Sequence, residues 1–121
     1  MNIALVSSQA IEVPPLRYGG LERVVYDLGI ALSRMGHEVT IFAPDGSHAD
    51  GCKMFWTGHL DENQAYGVYA NELKKFDIVH SHTWQGLPNI LRQEGFKVIN
   101  TYHGVWLNYR YTAPMNVVGI S

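Results

Sequence analysis

The sequence predicts an α/β fold in which a parallel sheet carries helices on both faces. Short apolar runs rich in β-branched residues alternate with helical or loop segments, which is typical of a parallel sheet covered by helices. With 121 residues and 46% hydrophobic content, the chain is long enough for one domain with a substantial core. We expect the first strand to lie centrally in the sheet. The predicted strands lie at residues 3–6, 39–43, 54–56, 78–79, 98–101 and 117–120.

The first helix is predicted at residues 20–35. Apolar residues recur there at spacings of three and four, and Gly36 follows as a C-terminal stop. Gly19 and Gly20 stand at the start of this helix, where unpaired N–H groups and a partial positive charge favour an anion. The alternative is that the two glycines only turn the chain into the helix.

Two further helices are predicted, at residues 61–75 and 87–93. Asp61 is a suitable N-cap for the longer one, although Gly67 is expected to interrupt it. Residues 104–113 contain several aromatic side chains without a helical or strand period. They are expected to form a long loop that is either functional or mobile.

The composition argues against several classes of partner. A net charge of −2 without a basic cluster disfavours nucleic acid and anionic membranes. A single cysteine, Cys52, excludes an intrachain disulfide, and the opening run is too short and uncharged for a signal peptide. No apolar stretch approaches the roughly 18 residues of a membrane span. We therefore expect a cytoplasmic protein, with any membrane association peripheral.

Polar residues are expected to gather at one rim of the sheet. Ligands of open parallel sheets bind beyond the carboxyl ends of the strands. Three of the six histidines follow strands at this rim, on the same side as the glycine pair. This clustering across separate segments favours a functional site. The residues expected at the rim are Ser7, Ser8, Pro44, Asp45, His80, His82, Thr83, Tyr102, His103 and Gly104.

Nucleotide-cofactor sites fit the sequence poorly. Asp45 stands where the acidic residue of a dinucleotide site belongs, but residues 8–18 separate the first strand from the helix and the third glycine is missing. A phosphate-binding loop of the Gly-Lys-Ser/Thr type is absent from the sequence. We therefore expect no bound cofactor.

Metal and nucleophile chemistry also lack support. His80 and His82 would point to one face of a strand, a spacing that could ligate zinc, but a zinc site needs three or four ligands. The preferred interpretation is that one histidine bonds the rim of the sheet and the other faces ligand or solvent, with no metal. No glycine-flanked serine occupies a strand-to-helix elbow, which disfavours a Ser/His/Asp set.

Several segments in order along the chain resemble the N-terminal lobe of family 4 glycosyltransferases. The resemblance covers essentially the whole chain, and the order of the segments is more specific than any one of them. Residues 52–69 and 106–111 match no pattern of the family. The segments that carry the resemblance are residues 2–7, 15–20 with Glu22 and Arg23, 36–40, 77–82, 101–104 and 117–121.

The resemblance implies the GT-B architecture, in which two Rossmann-like lobes face each other across a cleft. It identifies residues 1–121 as one Rossmann-like domain, the acceptor-side half of such an enzyme. The paired glutamates and the basic donor-binding residues of the C-terminal lobe have no counterpart here. We therefore expect a truncated chain, a fragment or one subunit of a split enzyme, with the second lobe in the same or another chain.

The resemblance also implies roles for individual residues. Gly19 and Gly20 would approach the donor diphosphate, and His103 would act at the transferred sugar. Arg17, His80 and His82 are weaker candidates for acceptor contacts. The implied reaction transfers sugar from a nucleotide-sugar, with retention, to a saccharide, lipid or small-molecule acceptor. Hydrolase-type paired carboxylates are not evident, which fits a retaining transferase.

A single lobe is expected to be inactive alone, because it lacks both the positioning and most of the charge stabilisation. The competing hypothesis is a catalytically silent module that binds a partner chain or a sugar acceptor without transfer. Apolar surface intended for a missing lobe would also favour self-association.

Overall fold

The computed structural model describes residues 1–17, 19–58, 61–83, 95, 97–103 and 117–120. All the predicted strands are confirmed within this part of the chain, with ends that differ by no more than two residues. The helix predicted at 87–93 and the loop predicted at 104–113 lie outside it. The elements are β1 Asn2–Val6, α1 Gly20–Arg34, β2 Glu38–Ala43, β3 Lys53–Trp56, α2 Glu62–Leu73, β4 Ile78–Ser81, β5 Val98–His103 and β6 Val117–Ile120.

The strands form one six-stranded sheet in the order β3-β2-β1-β4-β5-β6. Every neighbouring pair is parallel, which confirms the predicted α/β class. The first strand lies between β2 and β4, as predicted. From β1 the chain builds one side of the sheet with β2 and β3, and it then builds the other side with β4, β5 and β6. The order therefore changes direction between β1 and β4.

Both faces of the sheet are covered, because successive residues of β1 point to opposite sides. Ile3 and Leu5 pack in a cluster with Leu21 and Val25 of α1. Ala4 and Val6 pack in a second cluster with residues of α2. The two described helices therefore lie on opposite faces, and β1 is buried between them.

Helix α1 lies close to the sheet at Gly29. A Cβ on Gly29 would lie 2.9 Å from Ile41 Cδ1 and 3.2 Å from Cys52 Sγ. The helix begins at Gly20, as predicted, and Met35 is its C-cap. Gly36 follows with φ of 96°, a left-handed conformation that glycine adopts without strain and that ends the helix.

Helix α2 begins with a capping box. The Asp61 side chain accepts from Gln64 N at 2.9 Å, and Gln64 Oε1 accepts from Asp61 N at 3.2 Å. The predicted N-cap is therefore confirmed. The interruption expected at Gly67 is wrong, since the helix continues through it to Leu73. Burial of Tyr69 and Leu73 holds the helix despite the glycine.

Phe42 is the centre of the α2-side core. It is fully buried, and its ring centroid lies 4.9 Å from Phe55, 5.2 Å from Tyr69 and 5.7 Å from Phe76. Aromatic pairs at such separations add about 0.5–1.5 kcal/mol each beyond their area burial. Within the described ranges, no helix combines the length and apolar character that crossing a membrane requires.

Replacing Gly67 with alanine should stabilise the fold. Gly67 is an exposed position of α2 where a Cβ would meet no atom of the described part of the chain within 4 Å. Alanine there should raise the free energy of unfolding by about 0.5–1 kcal/mol, because it restricts the unfolded chain and favours helix. Differential scanning calorimetry would measure the change in Tm.

The matched control is Gly51→Ala. Gly51 has φ of +79°, and its Cβ would lie 2.5 Å from Ser33 Oγ, so this variant should lower Tm. A fall in Tm for Gly67→Ala would contradict the packing described for α2.

Candidate functional site

The carboxyl ends of β1 and β4 mark the place where the strand order changes direction. Hydrogen bonds extend the ladder one residue past each strand, from Ser7 N to Phe42 O and from His82 N to Val6 O, both at 2.9 Å. Connections that leave neighbouring strands toward opposite sides of the sheet open a crevice between them. We call the carboxyl ends of the strands and the segments that follow them the rim. The candidate site lies there.

The glycine pair lies at the N-terminus of α1, as predicted. Gly19 is the N-cap, and the first helical hydrogen bond runs from Arg23 N to Gly19 O at 2.9 Å. Among the residues that the structure describes, no side chain caps the helix. The N–H groups of Gly20, Leu21 and Glu22 precede that bond and have no intrahelical acceptor. These donors and the helix dipole are suited to an anion.

A hydrogen bond between Ser8 and Glu22 places this helix start at the rim. Ser8 Oγ donates to Glu22 Oε2 over 2.5 Å, and both residues are 4% exposed. Ser8 lies just beyond β1, so the first turn of α1 is held against the carboxyl end of the central strand. Sequence reasoning missed the role of Glu22. A carboxylate in the first helical turn was the available signal.

The structure places different steric demands on the two glycines. A Cβ on Gly19 would lie 2.5 Å from Pro15 Cβ, 2.9 Å from Pro15 Cγ and 3.0 Å from Glu22 Oε1. Packing therefore excludes a side chain at Gly19. A Cβ on Gly20 would meet no atom of the described residues within 4 Å, and Gly20 is exposed. The turn-only explanation accounts for Gly19, whereas the fold makes no steric demand for glycine at position 20.

The segment between β1 and the glycine pair is anchored on the loop that follows β2. Val13 is fully buried in the α1-side core. Its N–H donates to Ser47 Oγ at 2.9 Å, and its carbonyl accepts from His48 N at 2.7 Å. These contacts fix the path of the chain toward Pro15 and Gly19, so the approach to the helix start is pre-organised.

His80 of β4 and His82, the residue that follows β4, form a stacked pair. The rings of His80 and His82 lie 4.2 Å apart at 29°, so both lie on one face of the sheet, as their spacing predicted. His80 Nε2 bonds Thr101 Oγ1 of β5 at 2.7 Å. His82 is 1% exposed and therefore does not face solvent. Among the residues whose placement is described, no group of three His, Cys, Asp or Glu could hold a metal ion.

Two predicted site residues remain, Arg17 and His103, and the structure gives their positions along the chain. Arg17 is exposed in the segment before the glycine pair. His103 is the last residue of β5, because the strand extends two residues beyond its predicted end. The His103 side chain lies outside the described part of the chain. Nothing in the geometry brings Arg17 together with the histidine pair.

Two polar atoms following β1 have no hydrogen-bond partner within the described residues. They are Ser7 Oγ and Gln9 Nε2, both buried. An unpaired buried polar group costs about 1–3 kcal/mol. Water or a polar ligand would supply the missing partners. Both residues follow β1 at the rim, and Ser7 directly precedes Ser8, which bonds Glu22 at the start of α1.

Asp45 and Cys52 have structural roles. Asp45 Oδ1 accepts from Gly58 N at 2.9 Å, which ties together the segments after β2 and β3. Burial, with a smaller effect of the Asp50 charge, raises the pKa of the Cys52 thiol. A raised pKa reduces the thiolate fraction near neutral pH, so Cys52 is poorly suited to act as a nucleophile.

Comparisons with known proteins point to one family. The sequence model described as Glycosyltransferase Family 4 matches residues 18–119. AviGT4, a glycosyltransferase involved in avilamycin A biosynthesis, is similar in structure, with a TM-score of 0.58 and 26% identity over 86% of this chain and 32% of that chain. No curated protein sequence matches the chain.

Two other solved structures share the fold. Sucrose-phosphate synthase from Thermosynechococcus elongatus has a TM-score of 0.59 at 19% identity, over 86% of this chain and 33% of that one. The C-terminal domain of the coenzyme A biosynthesis bifunctional protein CoaBC has a TM-score of 0.58 at 10% identity, over 84% and 63%. The chain spans about a third of the length of AviGT4 and of sucrose-phosphate synthase.

The two glycines should respond differently to alanine. Gly19→Ala would drive a Cβ into the Pro15 ring, so it should lower Tm by several degrees, as overpacking costs about 1–3 kcal/mol. Gly20→Ala should leave Tm nearly unchanged, since its Cβ points into open space. Thermal unfolding followed by circular dichroism would separate them. Equal losses would contradict the distinction between the two positions.

Proposed function

The chain belongs to glycosyltransferase family 4, and from that premise we propose that it is the N-terminal, acceptor-side lobe of a retaining nucleotide-sugar glycosyltransferase of the GT-B type. The observation that carries this proposal is the open N-terminus of α1 at the rim. Its N–H groups, which no described side chain caps, lie next to Gly20, where no described side chain obstructs an approaching phosphate.

This geometry suits departure of a nucleoside diphosphate. Breaking the bond between the sugar and the phosphate builds negative charge on the leaving oxygen and positive character on the sugar ring. The N–H groups of Gly20, Leu21 and Glu22 would donate to the phosphate oxygens, and the helix dipole would favour the added charge. Donors fixed before the reaction stabilise developing charge most effectively. The Ser8 to Glu22 bond supplies that fixation here.

The surroundings of the helix start leave space for a ligand beside only one of the two glycines. Gly19 is committed to packing against Pro15, whereas Gly20 has open space on its exposed side. We propose that the donor diphosphate occupies this space. Ser7 Oγ, buried and unpaired among the described residues, lies at the adjoining end of β1 and would give one more donor if the rim rearranges on binding.

The acceptor side would be formed by other parts of the rim. We propose that His103, at the end of β5, bonds the transferred sugar or stabilises the reacting centre, and that Arg17 contacts the acceptor. His80 is held by Thr101, and His82 is buried beneath the surface. We therefore propose that the two histidines define the shape of the acceptor side, and that neither presents a widely exposed ring to the acceptor.

A second lobe would complete the cleft and hold most of the nucleotide-sugar. The chain matches about a third of the length of AviGT4, which is compatible with a further lobe in the same or another polypeptide. Without that lobe the donor would not be held in register with the acceptor. We propose that residues 1–121 alone transfer no sugar and bind nucleotide on the order of millimolar at best. A cytoplasmic location stays a prediction.

Gly20→Val tests the donor site. In the chain joined to a family 4 donor lobe, the branched side chain would fill the space proposed for the diphosphate. The KM for nucleotide-sugar should rise by about tenfold or more, while Tm changes little. Radiolabelled sugar incorporation would measure transfer, and isothermal titration with nucleoside diphosphate would measure binding.

The matched control is Gly67→Val, which adds the same side chain to an equally open helical position on α2. It should not change the KM. Unchanged donor affinity in Gly20→Val would overturn the donor-site proposal. Transfer by residues 1–121 alone would overturn the proposal of a half enzyme, and absence of transfer with any donor lobe would favour the silent binding module.

His103→Ala should lower transfer without destabilising the fold. A rim residue that bonds the transition state should cost about tenfold to a thousandfold in kcat when removed. The control is His37→Ala, because His37 precedes β2 at the opposite end of the sheet. Initial rates with saturating donor would be compared with Tm for each variant. Unchanged kinetics for His103→Ala would assign that residue a structural role.

A further inference from the structure

Three segments of the rim converge on residues 56–58, at the β3 side of the sheet. Thr57 Oγ1 donates to Gln9 Oε1 at 2.9 Å, which brings in the segment after β1. Gly58 N donates to Asp45 Oδ1 at 2.9 Å, which brings in the segment after β2. Thr57 N also donates to Ala43 O at 2.9 Å. Gln9 and Asp45 therefore bond the two residues that directly follow Trp56, and we refer to Gln9, Asp45 and Trp56 as the cluster.

Trp56 presents a fixed aromatic surface within this cluster. It is the last residue of β3 and is 57% exposed. Its Nε1 donates to Ser47 O at 2.9 Å, so the indole is held in one orientation and its N–H is already used. A single exposed tryptophan is not unusual. A tryptophan fixed in orientation beside polar groups offers a ligand the electron-rich face of its ring.

The neighbouring polar groups supply both kinds of hydrogen bond. Asp45 is exposed, and within the described residues only its Oδ1 is engaged, by Gly58 N. Its Oδ2 is therefore available to accept from a hydroxyl. Gln9 is oriented through Oε1 by Thr57, and its Nε2 is a buried donor that lacks an acceptor among the described residues.

These groups match the surface of a sugar ring. A pyranose has a face of C–H groups that packs on an aromatic ring and a rim of hydroxyls that both donate and accept. A lipid chain would leave the Asp45 carboxylate and the Gln9 amide unpaired. A phosphate would be repelled by the Asp45 charge. The cluster therefore favours a neutral carbohydrate.

We propose that Trp56, Asp45 and Gln9 form a saccharide subsite and that the acceptor is a carbohydrate. The subsite lies two strands from β1, on the order of 10 Å along the rim. That separation suits a sugar unit of an acceptor whose other end reaches the proposed transfer site. The identification of this ligand as the acceptor rests on the proposed function, whereas the binding chemistry of the cluster does not.

Nuclear magnetic resonance on the 121-residue chain tests the subsite. The Trp56 indole N–H signal is assigned from its loss in Trp56→Phe. The probes are maltotriose, cellotriose and, as a lipid, dihexanoyl phosphatidylcholine below its micelle concentration. At least one trisaccharide should shift the signals of Trp56 Nε1 and Gly58 N, with a Kd on the order of millimolar.

Variants connect that binding to the three side chains. Trp56→Ala should weaken trisaccharide binding by about tenfold, since it removes the aromatic face. Trp56→Phe should retain much of it, and Asp45→Asn should lose about two- to tenfold. The control Val68→Ala, at an exposed apolar residue of α2, should bind as the unmodified chain does. Equal binding by Trp56→Ala and the unmodified chain, with the fold intact by circular dichroism, would overturn the subsite.

Parallel titration with uridine diphosphate separates this proposal from the donor site. Trisaccharide binding at Trp56 supports the subsite even if no nucleotide binds and no transfer occurs with a donor lobe. Transfer to a saccharide with the same acceptor KM in Trp56→Ala would overturn the subsite and leave the proposed function intact. The subsite would also be overturned if only the lipid shifted these signals, or if neither trisaccharide shifted them.

Discussion

Ser8 donates a hydrogen bond to Glu22 across the point where the central strand ends and the first helix begins, and both residues are buried. The direction in which the helix start faces depends on this contact. A Cβ on Gly19 would lie 3.0 Å from Glu22 Oε1, so the same carboxylate that bonds Ser8 also occupies the space beside Gly19. Removing either partner would leave a buried polar group unpaired, at a cost of about 1–3 kcal/mol. The Ser8–Glu22 hydrogen bond therefore fixes the position of the open N–H groups at Gly20. Neither residue needs to contact a ligand to do so.

The rest of the rim is also built on a fixed part of the fold, the buried strand β1, and on polar segments that follow the strands. Parallel pairing buries β1 on both faces, which leaves its backbone little freedom and sets the starting points of the segments that follow the strands. Those segments are then tied to one another through Ser47, Thr57 and Asp45. A rim built in this way positions polar groups with the precision that charge stabilisation requires.

The sequence was sufficient to predict the described strands and the two described helices, but not the contacts between them. Apolar β-branched runs predict strands directly, and Asp61 predicts a helix cap because its effect is local. Gly67 was misjudged, since burial of Tyr69 and Leu73 outweighs one residue's propensity. The separate requirements for Gly19 and Gly20 depend on the position of Pro15. The convergence of Gln9, Asp45 and Trp56 depends on the paths of three segments, and no periodicity encodes such paths.

The position of β1 in the middle of the sheet sets the order in which the domain can be assembled during synthesis. One neighbour, β2, follows within about forty residues, but the other is formed by Ile78–Ser81. Until that segment leaves the ribosome, one side of the central strand has no partner and exposes unpaired backbone groups next to apolar side chains. Such an edge pairs readily with other chains. Chaperone protection of the nascent chain would therefore matter most after β2 has left the ribosome and before Ile78–Ser81 has done so.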